Sequence, residues 1–312
     1  MARFLLRRLG RLVASLAVLV TLSFAMIHFI PGDPVRVALG PKAPPALVAA
    51  RRHSLWLDRP LPDQFLHYLH GLVTGNLGRS FQSDLPVSEI IGQRLPYSAQ
   101  LAGTAFLVIM LVSVPLGMVA AVLTRNGQRR GTEFGFTTST GFFATVPEFL
   151  LGVGLVVLFG VVWKVLPVAG RSGPESYILP VAALSVGSIA ALARIVRAET
   201  LTVLGADYVR TARAKRLPAR LLYLRHVLPN MLTSALTLGG LLLAGLVGGT
   251  VLVENVFGWP GIGTIVVNSV VQQDYPVAQA IVLMLGATVL IINAVVDLLL
   301  GVLDPRSTIR ET

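Results

Sequence analysis

The stretch DYVRTARAKRLPARLLYLRHVLPN, Asp207–Asn230, lies between two long apolar runs. It carries Arg210, Arg213, Lys215, Arg216, Arg220 and Arg225, with Arg194 and Arg197 just upstream; only Glu199 and Asp207 oppose them. The rest of the chain is unlike it. Of 312 residues, 54% are hydrophobic and 13% charged, against about 25% charged in a soluble globular protein. At a mean hydropathy of +0.74, too little polar surface remains to cover a water-soluble globule, so the chain reads as an integral membrane protein. The net charge of +11 has the sign for nucleic acid. It is clustered beside apolar runs, however, where the positive-inside rule puts it, and this excludes a nucleic-acid partner. With no cysteine, a disulfide framework, a thiolate metal site and a cysteine nucleophile are all excluded.

Outward from that stretch, six runs approach the length of about 20 apolar residues that a span needs: Leu12–Ile30, Tyr97–Leu123, Phe136–Val162, Tyr177–Ala193, Met231–Val253 and Val277–Val296. The fourth is short and borrows from its flanks. The second contains Pro115, which a membrane helix tolerates when neighbours satisfy the freed carbonyl. The first follows a basic MARFLLRRLGRLV, as a signal peptide would. It is longer than a signal peptide's apolar region and runs into IPGDP without a small-residue cleavage site, so it is expected to stay as an anchor.

Basic residues set the expected orientation. Arg3, Arg7, Arg8 and Arg11 precede the first span, and Arg125, Arg129 and Arg130 follow the second. The opening stretch follows the fourth, and Arg306 and Arg310 follow the sixth. All four regions fall on one side, which makes it cytoplasmic, with both termini. On the other side, only Lys164 and Arg171 follow span three, and neither Lys nor Arg follows span five. The first outer loop, Pro31–Pro96, has seven basic residues but is longer than about 60 residues, where the rule loses force.

The opening stretch has an internal pattern beyond its charge. Asp207 is placed as the N-cap of a short helix to about Lys215. Pro218 suits the first turn of a second helix. Leu217, Leu221, Leu224 and Leu228 then make one apolar stripe, and Pro229 fits a break before span five. Two short amphipathic helices need a surface to pack on: lipid headgroups, the chain's own span ends, or a cytoplasmic partner.

The stretch resembles the cytoplasmic loop of bacterial ABC importer permeases, in the form used by the dipeptide, oligopeptide and nickel branch. There a DY-RTARAKG-like run leads through an RH-L segment to a closing L-P. PGDP (Pro31–Pro34), LDRPL (Leu57–Leu61), GNLGRS (Gly75–Ser80), RLPYS (Arg94–Ser98) and VPEFLLG (Val146–Gly152) are similar to the same branch. So are LPVAG (Leu166–Gly170), VENVFGWPGIG (Val253–Gly263), DYP (Asp274–Pro276) and LDPR (Leu303–Arg306). Order and spacing together match the first permease of the branch's pair over nearly the whole chain.

The resemblance implies an all-α fold: a type I importer permease with six transmembrane helices. Residues 1–30 would be the N-terminus and first span, 31–96 a small extracytoplasmic subdomain, 97–303 the core, and 304–312 a cytoplasmic tail. It makes 200–229 a coupling loop that sits in a groove of an ATP-hydrolysing subunit, through Asp207, Tyr208, Arg210, Thr211, Ala212, Arg213, Lys215, Leu217 and Leu221. The partners it implies are a second homologous permease, two ATPase subunits that carry ATP and Mg, an extracytoplasmic substrate-binding protein, a peptide cargo and the lipid bilayer of the bacterial inner membrane. This chain would bind no cofactor. Where the family pattern has glycine, this chain has Arg216; if the glycine serves a positive φ, arginine there costs about 1 kcal/mol.

Two further features need a place. His67 and His70 stand at i, i+3 in the outer loop, a spacing open to a metal, but no Cys or carboxylate cluster completes a site; helical surface histidines are the simpler reading. Glu148 is the one acid deep in an apolar run. A mid-span charge costs about 2.5–3.5 kcal/mol, so Glu148 is expected to face the protein interior or a water-lined path. It is either a pathway residue for the amino end of a peptide or a partner for backbone freed at Pro147 or for the neighbouring permease.

No Lys follows a Gly in this chain, so there is no phosphate-binding GxxxxGK[ST] loop, and neither HExxH nor GxSxG occurs. The expected function is a non-enzymatic half-channel of a peptide importer that works by alternating access. The alternatives are the same architecture carrying nickel, glutathione or another small solute, an ion-coupled secondary transporter, and a membrane scaffold.

Overall fold

The computed structural model describes Ala2–Phe29, Pro34–Gly40 and Lys42–Leu303. Most of PGDP and LDPR, and the tail 304–312, lie outside the described residues. Within them the chain is helical, and the sole β feature is an isolated bridge between Arg79 and Pro86. The helices are α1 (Ala2–Phe29), α2 (Pro34–Leu39), α3 (Pro45–Ser54), α4 (Leu61–Thr74), α5 (Val87–Leu123), α6 (Arg130–Thr145), α7 (Glu148–Leu155), α8 (Ile178–Gly205), α9 (Asp207–Ala214), α10 (Ala219–Leu221), α11 (Leu228–Val256), α12 (Ile262–Val271) and α13 (Tyr275–Leu303). Wide π-helical turns follow α7 at Val156–Val162 and α10 at Leu222–Val227.

Among the described residues, five helices are long and apolar enough to cross a membrane. The third expected span differs. Phe136–Val162 is not one straight helix, because α6 and the α7 segment meet at a bend of 96°. The break falls at Val146 and Pro147, both extended in backbone. Proline lacks the N–H that would continue α6 and disfavours the helical conformation in the residue before it. Pro115, by contrast, sits inside a continuous α5. The fourth span is longer than expected. Its helix runs on through the charged Arg194–Gly205 segment, where Val196, Thr200 and Leu204 are buried.

The chain divides into two compact units, one made of the chain up to Ala99 with Pro260–Leu290, the other of Gln100–Trp259 with the chain from Ile291. The first unit holds most of the stretch read as an outer subdomain. Tyr68 of α4 donates to Ser23 of α1 at 3.3 Å, and Gln279 of α13 donates to the Ser23 carbonyl at 3.0 Å. Phe24 packs edge-on to Phe65. Buried Asp274 accepts hydrogen bonds from the Ser80 hydroxyl and the Phe81 N–H, so GNLGRS and DYP form one joint. Ser98 of RLPYS likewise accepts the Ile262 N–H at 2.8 Å, at the start of α12. Asp58 is held below the usual carboxylate range by its hydrogen bond with His53.

In the second unit α8 is central and packs against α6, α7 and α11. α5 approaches it closely at Gly117, where any Cβ would lie 2.6 Å from the Ala193 carbonyl and from Val196; small residues allow such approach between membrane helices.

Candidate functional site

The segment expected to couple, Asp207–Asn230, is built on the end of α8. Ala206, not Asp207, occupies the N-cap of α9, with extended backbone. Asp207 instead takes the first helical position, where its charge favours the helix N-terminus, and pairs loosely with Arg210 at 3.5 Å. The Thr211 hydroxyl donates to the Asp207 carbonyl at 3.0 Å. Pro218 stands one residue before the second helix as its N-cap. Pro229 does not break the chain; it follows the π-helical turn directly, and helical backbone runs on through Val227 and Leu228 into α11.

Arg216 has φ +53°. Its N–H reaches the Arg213 carbonyl at 2.8 Å, and the Leu217 N–H reaches the Ala212 carbonyl at 3.3 Å. These two bonds define a Schellman end, which places one residue in the left-handed region. The position therefore does demand a positive φ, and arginine meets it.

The two faces of the segment differ from the expected stripe. Val209, Ala212, Leu222 and Val227 are buried with Leu204 in one cluster, and Leu217, Tyr223, Met118 and Val122 pack on its margin. Leu221 is 38% exposed and Leu224 53% exposed. The π-helical turn explains the change: at one extra residue per turn, Leu222 and Val227 share a face at i, i+5, and the i, i+4 stripe is rotated off it. Tyr208 is 45% exposed; Arg210, Lys215 and Arg220 are exposed, and Arg213 is half-buried. The segment is thus anchored by small and branched apolar residues beneath, and turns Tyr208, Leu221 and Leu224 outward among cations.

Arg197 belongs to a different structure from the loop charges. It donates from Nε and Nη2 to the Thr124 hydroxyl, at 3.1 and 2.9 Å, and from Nη2 to Glu133 at 2.5 Å. This half-buried clasp ties α8 to the end of α5 and to α6, about three turns before Asp207. A basic-residue count does not separate it from a solvated arginine, and Glu133 lies 64 residues away in the chain, so no local signal marked the pair.

Glu148 opens α7 directly after the break. Its carboxylate fills the space that a side chain at Gly249 of α11 would take. Among the described residues no hydrogen bond or ion pair engages it, the backbone at Pro147 included. The residue is half-buried within the chain. His67 lies flat on Trp56, with ring centroids 4.5 Å apart, and among the described residues no group of three potential ligands gathers around it.

Among the described residues, five long apolar helices and one bent pair, with an exposed, anchored segment between α8 and α11, make the build expected of a transporter subunit. The comparisons agree. Residues 113–309 match the family described as "Binding-protein-dependent transport system inner membrane component", and residues 1–102 match the N-terminal component of such systems. The chain belongs to this family: it is a multi-pass inner-membrane permease subunit of a bacterial ABC importer, in the dipeptide, oligopeptide and nickel branch.

The chain is 38% identical over 306 residues to the glutathione transport system permease protein GsiC of Salmonella typhimurium, and 37% identical over 305 residues to that of Pectobacterium atrosepticum, covering 98% of each chain. Among solved structures, an inward-facing form of the MetNI methionine ABC transporter matches with a TM-score of 0.57 at 18% identity, over 69% of this chain and 96% of that one. An amino acid ABC transporter with histidines matches at 0.50 and 15%, over 68% and 93%. At these identities the structures speak for the fold alone. Membership of the family implies, in general terms, a partner permease, ATPases and a binding protein.

Proposed function

We propose that the chain forms one half of the translocation path of a small-peptide importer, with a second homologous permease, two ATPase subunits that bind ATP and Mg, and an extracytoplasmic binding protein. Both termini and Asp207–Asn230 face the cytoplasm. The observation that carries this reading is the build of the coupling segment. A segment anchored on one face by Val209, Ala212, Leu222 and Val227 moves with α8 and α11 as a body. Its opposite face offers Tyr208, Leu221 and Leu224 to a groove in an ATPase. Motion of the ATPases is then transmitted to the spans, and the path opens alternately to either side.

A peptide cargo is supported by two points. The relatives at 36–38% identity named above and from Escherichia coli O6:H1 are named for glutathione, a small peptide. Glu148 supplies a half-buried carboxylate at the break of a bent span, suited to the ammonium end of such a cargo.

The test is a complex of this chain with its partners in liposomes, assayed for binding-protein-dependent uptake of glutathione. Glu148→Gln keeps the shape and removes the charge. Uptake should fall about tenfold, the scale of one charge-assisted contact, while the amount of assembled complex stays constant. Undiminished uptake by Glu148→Gln, in a complex that does import glutathione, would leave Glu148 a structural residue only. A wild-type complex that moves no peptide would sink the cargo reading.

A further inference from the structure

One cavity lies wholly within the first unit. Its volume is about 690 Å³, within the usual size of a small-ligand site. Phe24 of α1 and Tyr275 and Ala280 of α13 line it, together with Trp56, His70 and Asn76 from the stretch between α1 and α5. We propose that this cavity holds a membrane phospholipid, by its phosphodiester, its glycerol esters and the top of one acyl chain. The proposal rests on the membrane location of the chain, and on neither the peptide cargo nor the coupling segment.

The place of the cavity along the spans argues for lipid. The apolar span of α1 ends at Met26 and that of α13 begins at Tyr275. Phe24 and Tyr275 therefore stand in the last turn of one span and the first turn of the other. Gln279 of α13 donates to the Ser23 carbonyl of α1 at 3.0 Å, which brings the two ends to one level. That is the level at which hydrocarbon gives way to headgroups, and Trp and Tyr favour it. Trp56, Tyr68 and Tyr275 all line the cavity. The Trp56 ring lies flat on His67 and makes one wall apolar. Val18 and Leu22, on the same span as Phe24, are exposed apolar residues, as on a lipid-facing helix.

Tyr275 sets the chemistry. The residue is 5% exposed, yet among the described residues no hydrogen bond engages its hydroxyl. A buried hydroxyl without a partner is costly, and a ligand in the cavity supplies one. The other polar groups nearby are engaged or are donors. The Tyr68 hydroxyl donates to Ser23 at 3.3 Å, and the Gln279 amide is spent on the Ser23 carbonyl. Asn76 Oδ1 accepts the Gly78 N–H at 3.1 Å, which leaves the amide N–H groups of Asn76; His70 adds at least one ring N–H. A wall that offers O–H and N–H groups calls for acceptors, and the ester and phosphodiester oxygens of a phospholipid only accept. Among the described residues no Asp or Glu lines the cavity, so no carboxylate on the wall repels a phosphate. Arg79, also on the wall, is paired with Asp84 at 3.3 Å. The site therefore binds through hydrogen bonds and apolar contact more than through net charge.

In the experiment the full chain is purified in dodecyl maltoside, stripped of lipid and titrated with dioleoylphosphatidylglycerol. Bound lipid is counted by native mass spectrometry. The wild-type chain should take up one molecule before any others. Tyr275→Phe removes only the hydroxyl and should weaken that first binding about fivefold. It should leave the melting midpoint of the lipid-free chain unchanged, because no bond within the protein is lost. Thr74→Trp, at an exposed position on the wall, fills the cavity and should abolish the first binding. Leu66→Trp, exposed on the same helix but off the wall, should bind as the wild type does. Equal uptake by all four chains would show an unspecific layer of lipid and overturn the proposal. Displacement of the lipid by inorganic phosphate would overturn it too, by assigning the site to a free anion. Wild-type lipid binding by Thr74→Trp, with loss of binding-protein association in the reconstituted complex, would make the cavity a protein-docking groove and likewise overturn it.

Discussion

The helices α9 and α11 end in the same way and are used differently. Each closes with a Schellman pair: Arg216 to Arg213 and Leu217 to Ala212 in α9, Gly258 to Asn255 and Trp259 to Glu254 in α11. The left-handed residue has φ +53° in both. Around Gly258 the chain is sunk in the protein, with Phe257 and Trp259 almost fully buried. Around Arg216 the neighbours Lys215 and Pro218 are exposed, and only Leu217 turns in to the cluster below. The turn after α11 is held by what it buries. The turn after α9 is held by its own hydrogen bonds and one leucine, and its outer surface is exposed. Identical backbone geometry therefore says nothing about role; the burial of the flanking side chains does.

The largest effect that sharpens this contrast is at Trp259. Removing a fully buried tryptophan costs about 3–5 kcal/mol, and here it also removes the edge-on partner of Tyr177. Trp259→Ala should therefore lower the yield of folded, detergent-stable chain severely, whether or not the ATPases are present. A normal yield and melting temperature would mean that the α11 end does not depend on burial, and the contrast would fail.

Next in size is the outward face of the coupling segment. A leucine buried at a partner interface contributes about 1.5–3 kcal/mol, and an exposed ion pair about 0–1 kcal/mol. Leu221→Ala with Leu224→Ala should reduce co-purification of the ATPase subunits at least tenfold and leave the chain's own stability within about 0.5 kcal/mol, as for exposed sites generally. Arg220→Ala should do much less to association. Leu217→Ala is a different kind of change, because Leu217 packs in the chain's own cluster and its loss destabilises the segment itself. ATPase association unchanged in the double variant would remove the docking role and return the segment to a basic loop that sets topology.

How far the sequence carries this picture depends on the kind of signal. Runs of apolar residues and clusters of arginine are additive along the chain, so the long apolar helices and the basic segment between α8 and α11 were legible. The break in the third span was not, because both halves are apolar and hydropathy does not register a 96° bend; Pro147 was the one local sign. The fourth span was cut short for the opposite reason. Arg194, Arg197 and Glu199 lower hydropathy where the helix simply continues. The register of the coupling segment was misread through an assumption of regular α-helix, which the turn at Leu222–Val227 violates. The Arg171–Tyr177–Gln100 group joins residues more than 70 apart in the chain, and no spacing rule reaches across that gap. Arg216 was read from the motif alone, and its demand for a positive φ is present in the structure.

The smallest effect tests the shared geometry itself. A residue with a Cβ pays about 1–2 kcal/mol in the left-handed region, and glycine escapes that strain while giving up about 0.5–1 kcal/mol of chain entropy on folding. Arg216→Gly should therefore raise stability by up to about 1 kcal/mol, seen as a modest rise in the melting midpoint of the solubilised chain. Gly258→Ala should lower it by about the same amount. A Cβ at Gly258 meets its nearest neighbour, Ala169, at 3.8 Å, an ordinary contact, so strain in φ is the main term and steric overlap contributes little. Because Arg216 is exposed and lies at the edge of the outward face, ATPase co-purification should change less than twofold in Arg216→Gly. Shifts of opposite sign at the two positions would confirm that one conformational cost is being read from two directions. Shifts of the same sign, or a loss of ATPase association in Arg216→Gly as large as in the leucine double variant, would show that the arginine side chain serves the coupling segment in its own right, and that the two helix ends are alike only in backbone.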